Sequence, residues 1–144
     1  MIKFNNYLST IKRKLENDEN FSDIRVVFGF SGKKKPLPMS KPTVAVGLEN
    51  SVENRIAPVY SEDNPSTMLY NRDCNICVRF DVYVPDSMEG YKCYDIFSRI
   101  GEMFFENVST YKFTSVKCGD LSYKRDEKAF LLTGFLEIEK RYIV

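Results

Sequence analysis

The sequence predicts an α+β fold: a single domain over residues 1–144, a mainly antiparallel or mixed sheet with two helices packed on one face. Three observations predict it. Two stretches, around residues 5–16 and 87–107, repeat apolar residues at helical spacing, and several others alternate apolar and polar residues as strands do. The order is helix, strands, helix, strands. Helices laid on one face of such a sheet bury both of their apolar stripes.

The first helix is predicted from about Asn5 to Glu16, because Phe4, Leu8, Ile11 and Leu15 recur at steps of four, three and four. Lys12, Arg13 and Lys14 lie off that stripe and read as a solvated face or a charged contact with a partner. Ile24, Val26, Phe28 and Phe30 then alternate as one strand face. Residues 31–42 hold Lys33, Lys34 and Lys35 and three prolines, so an extended loop is expected. Thr43–Leu48 is β-branched and alternating, and Val52–Tyr60 reads as a short edge strand interrupted by Pro58.

Residues 61–72 are polar and contain Asn64-Pro65, a turn signal, so a long loop is expected there. Met68, Leu69 and Tyr70 put three large side chains inside it, either folding back on the core or docking on another chain. Ile76, Val78, Phe80, Val82 and Val84 form the cleanest strand face. The opposite face (Asn75, Cys77, Arg79, Asp81, Tyr83) is polar enough to meet water or a subunit. Pro85 ends that strand, and Asp86 with Glu89 resembles a capping box opening the second helix at Ser87.

That helix buries Cys93, Ile96, Phe97, Ile100 and Phe104, with Gly101 beside the stripe, allowing close packing on the sheet or simply tolerated. Tyr111–Cys118 and Leu121–Lys124 are further strands. The charged run to Lys128 is an exposed turn, and Ala129–Ile143 is a long closing strand. Gly134 inside it signals a bulge or a close backbone approach.

Composition narrows the chemistry. Lys and Arg total 21 and Asp and Glu 20, a net charge of +1, which is no footprint for nucleic acid or an anionic membrane. The 144 residues contain no histidine, which removes Ser-His and Cys-His catalysis and imidazole ligation. Cys74 and Cys77 form a C-x-x-C pair without a second pair, so small core residues are expected rather than a zinc or redox site. Gly29-Phe30-Ser31-Gly32-Lys33 lacks the spacing of a phosphate loop. No cofactor, no metal and no catalytic residue is expected. No apolar segment follows the first residues, so synthesis in a cytoplasm is expected.

Four stretches carry a likeness to a known family: Phe4–Leu15 leading into Phe21–Val27; Pro42–Glu49 after a proline-rich loop; Val78–Pro85 followed by Tyr91–Ile100; and Lys117–Asp120 before a charged turn and the closing strand. Together they resemble the tail terminator, or tail completion, proteins of long-tailed bacteriophages and phage-tail-like bacteriocins. The likeness lies in element order and hydrophobic pattern, with no signature motif. It implies a homo-oligomeric ring, usually of six copies, that caps the head-proximal end of the tail tube. Its partners would be the tail tube protein, the sheath protein if the tail contracts, and a neck or connector protein if a capsid exists. It would assemble in the bacterial host cytoplasm and end in the particle, catalysing nothing.

A head–tail connector or a tail tube subunit is the alternative within that class. A weak nucleic-acid module using Lys33, Lys34 and Lys35, or a small enzyme with an acid or cysteine site, lies outside it. The expected ring contacts are Lys33, Lys34 and Lys35, the trio Met68, Leu69 and Tyr70, and the chain end Tyr142, Ile143 and Val144.

Overall fold

A computed structural model describes residues 4–29, 39–60, 68–106 and 112–143, and side chains within 8–29, 39–51, 75–104 and 115–139. The elements are α1 (Phe4–Glu16), a 3-10 turn (Glu19–Phe21), β1 (Arg25–Phe28), β2 (Thr43–Tyr60), β3 (Met68–Pro85), α2 (Lys92–Glu106), β4 (Lys112–Cys118), β5 (Ser122–Lys124) and β6 (Ala129–Ile143). The six strands form one mixed sheet in the order β1-β2-β3-β6-β4, with β5 also on β6. Only β1–β2 is parallel; the other ladders are antiparallel. This is the expected α+β architecture.

Both helices lie on one face, because their apolar stripes share one core with alternate residues of the central strands. Ile11 and Leu15 of α1 and Cys93, Phe97, Ile100, Met103 and Phe104 of α2 are buried against Val44, Val46, Ile76, Val78, Phe80, Val82, Val84, Leu132, Leu136 and Ile138. The period of two along β3 and β6 thus does what the sequence pattern demands. Gly134 is the point of closest approach: a Cβ there would lie 2.2 Å from the Phe97 ring. Close packing is not what Gly101 provides, since nothing lies within 4 Å of where its Cβ would be.

Three expectations are corrected. The second helix starts at Lys92, not Ser87, and Asp86 is no helix cap. Pro85–Met88 is a turn closed by the Met88 N–H on the Pro85 carbonyl, and the Asp86 carboxylate accepts a bond from the Tyr123 hydroxyl at 2.8 Å. Val52–Tyr60 is not a separate short strand but the second half of β2, carried past Pro58 by pairing with β3. Met68, Leu69 and Tyr70 are not in a loop; they open β3 opposite Tyr60, Val59 and Pro58. Backbone pairing imposes no polarity rule, so the polar stretch Asn71–Asp73 continues the strand.

The other face carries no helix among the described residues. Met39 covers one end of it, buried with Tyr83, Ala129 and Leu131, its N–H bonded to the Glu127 carbonyl at 2.8 Å. No described helix is long and apolar enough to cross a membrane.

Candidate interaction surface

β2 and β3 are each 18 residues long, so their hairpin spans roughly 60 Å at about 3.3 Å per residue. The described side chains that join the core beneath the helices reach Ile76 on β3 and Ile138 on β6. The backbone ladder runs on from there: β3 stays paired with β2 as far as Met68 and with β6 as far as Asn71. The far part of this ladder is a three-strand ribbon of β2, β3 and β6.

The ribbon's end gathers two of the three expected contact groups. Tyr142 lies opposite Arg72 and Ile143 opposite Asn71, directly beside the Met68-Leu69-Tyr70 segment. Lys33, Lys34, Lys35 and Val144 lie outside the described residues.

Two long edges are open among the described strands. β1 pairs only with Thr43–Val46, and one further bond runs from the Gly29 N–H to the Val46 carbonyl. From Gly47 to Tyr60, no described strand pairs with β2 on the side away from β3. Pro58 stands in this stretch, as the missing donor of a proline requires of an edge. At the sheet's opposite side, β4 and β5 line β6 in sequence and have no described strand beyond them. Sequence reading located the edge through Pro58 but not its length, and it missed the β4–β5 edge, which depends on strand order.

The helix-free face is charged. The Arg79 Nε donates to Asp81 Oδ1 at 3.1 Å, and the same oxygen accepts from Thr133 Oγ1 at 2.7 Å. Arg79 also stands 3.6 Å from Glu49 on β2. Glu137 accepts from Ser115 Oγ at 2.9 Å and lies 4.0 Å from Lys117 Nζ. These groups bridge β2, β3, β6 and β4 in a line across the sheet, with Phe135 half-buried among the strands. Such a face suits polar contact with water or a protein surface better than a dry core.

The described thiols are held in their protonated form. Burial pushes the Cys93 thiol up to about 11. Burial, then the charges of Glu137 and Glu49, raises Cys77, while burial and Asp120 raise Cys118. The side chain of Cys74 lies outside the described set. No group of three potential metal ligands occurs among the described residues. An open groove of about 400 Å³ between the 3-10 turn and α2 is lined by Asn20, Phe21, Ile24, Asp95, Ile96 and Arg99. Its one guanidinium is already engaged, at 3.0 Å from Asp18 and 3.4 Å from Glu102.

No protein-family model matches the chain, and no curated protein matches it.

Proposed function

We propose that the chain is a structural ring subunit of a phage-type tail, closing the head-proximal end of the tail tube in the manner of tail terminators. The reading rests first on the resemblance in element order and pattern. The observation that carries it further is the pair of open edges, among the described strands, on opposite sides of one sheet, with a three-strand ribbon of β2, β3 and β6 at one end. A subunit of a closed ring needs two different lateral surfaces, because cyclic contacts join unlike patches. It also needs axial surfaces, one for the tube and one for the neck. The ribbon end, with Met68, Leu69, Tyr70, Tyr142 and Ile143, and the charged helix-free face are candidates for these.

In this reading six copies form the ring on the last layer of tube protein, meet the sheath where one exists, and present a surface to a connector. Assembly takes place in the bacterial host cytoplasm. The test is tail length by electron microscopy, with and without the chain. Overlong or variable tails only in its absence support the terminator role. Uniform tails of normal length that fail to join heads favour a connector, and intact particles remove both.

A further inference from the structure

We infer that copies of this chain associate head to tail by sheet extension, the β4–β5 edge of one copy adding to the open β2 edge of the next. This deepens the ring reading and rests on it for its biological setting. Four observations carry it.

The first is direction. β3 and β4 run opposite to β2 and β6, so the two outer strands of the sheet are antiparallel to each other. A neighbour related by rotation about an axis near the strand direction then brings its β2 antiparallel to β4, the better hydrogen-bonded ladder.

Length is the second. β4 and β5 together cover β6 from Ala129 to Glu139, and the open edge of β2 from Gly47 to Tyr60 is longer than that, so the whole column fits on it. β1 occupies β2 at Thr43–Val46, so the incoming column is displaced along β2 toward Tyr60. Such a stagger tilts the strands to the ring axis, as closed sheets require.

Third, the charges are opposite. β4 and β5 carry Lys112, Lys117 and Lys124 and no acid, whereas the open stretch of β2 carries Glu49 and Glu53 with Arg55. This favours unlike edges meeting. The two-fold alternatives, β2 on β2 or β4 on β4, bring like charges together.

Fourth, each edge bears an exposed apolar residue on the helix side: Leu48 opposite Val78, and Val116 opposite Leu136, the latter 47% exposed. Natural edges are commonly blunted by charge, and a bare apolar position on both marks a surface that becomes covered.

The experiment uses the full chain in sedimentation velocity across a concentration series, with amide hydrogen exchange at each concentration. One variant combines Lys112→Glu, Lys117→Glu and Lys124→Glu; another combines Glu49→Lys and Glu53→Lys. Each alone should associate at least tenfold more weakly than the parent chain. Mixed one to one, they should associate again, because each supplies the edge that the other has reversed; an unfolded variant could not be rescued this way. Association should protect amides in 47–60 and 112–124. Failure of the mixture to associate, protection confined elsewhere, or a parent chain that stays monomeric up to its solubility limit would overturn the inference. None of these decides the terminator role, which tail length tests separately.

Discussion

Gly134 of β6 lies directly beneath the ring of Phe97 of α2: a Cβ on that glycine would approach the ring's Cε2 to 2.2 Å. Gly134 pairs with Phe80 on one side and Cys118 on the other, at the centre of the sheet. Phe97 is 4% exposed, buried in the core shared by the helices and the sheet. The absence of a side chain at 134 thus sets how closely the helix sits on the strands.

Gly134→Ala is therefore expected to destabilise the fold by about 1–3 kcal/mol, the usual cost of overpacking. Thermal unfolding should show a midpoint several degrees lower. Phe97→Leu in the same chain should recover part of the loss, since the two positions are in contact and their effects should not add. Strictly additive losses would mean that the contact does not control the packing.

Gly101 offers the opposite case. It sits within α2 with open space where a Cβ would go. Gly101→Ala should stabilise the helix by about 0.5–1 kcal/mol through backbone propensity alone. A raised unfolding midpoint checks it, and a lowered one would reveal a close neighbour of Gly101.

These two glycines show what a sequence reveals and what it withholds. Periodicity located both helices and the faces of β3 and β6. The bounds of Ala129–Ile143 were legible because a charged turn precedes a clean alternation. Whether a glycine meets a neighbour is a property of packing: the sequence left two readings open at each, and what meets Gly134 is a side-chain ring rather than a backbone. Asp86 looked like a helix cap because its local spacing fits one, but its carboxylate is claimed by Tyr123, 37 residues away. Met68–Arg72 looked like loop because polar residues interrupt the pattern, yet the register with β2 makes it strand. The open edges depend on strand order, which no local pattern encodes.

Asp18 joins the 3-10 turn to α2 through Arg99 at 3.0 Å and caps the turn by accepting the Asn20 N–H at 2.8 Å. Burial works to raise its carboxyl, but the bonds from Asn20 and Arg99 outweigh burial and hold it below the usual Asp value. A depressed folded value means that the carboxylate contributes stability above the unfolded pKa of about 3.9, and that this is lost as pH falls through the folded value. Asp18→Asn should be less stable than the parent at neutral pH, with the two unfolding curves converging at the acid end. A gap that stays constant across the acid range would assign the loss to something other than the charge.

The ribbon end supplies the sharpest test of the proposed contacts. Met68, Leu69 and Tyr70 lie on β3 next to the positions where Tyr142 and Ile143 pair, at the end of the three-strand ribbon. If the ribbon end is the contact surface proposed, changes there should spare the fold while altering the surface that the ribbon presents. Replacing Met68, Leu69 and Tyr70 together by serine, or removing Tyr142–Val144, should leave circular dichroism and the unfolding midpoint within a few degrees of the parent chain. Both variants should lose assembly on tails, measured as the fraction of capped tails of uniform length. If both cap tails normally, the ribbon end is not a contact surface. If the unfolding midpoint instead collapses, these residues support the fold, and the contacts must lie on the sheet edges or the helix-free face.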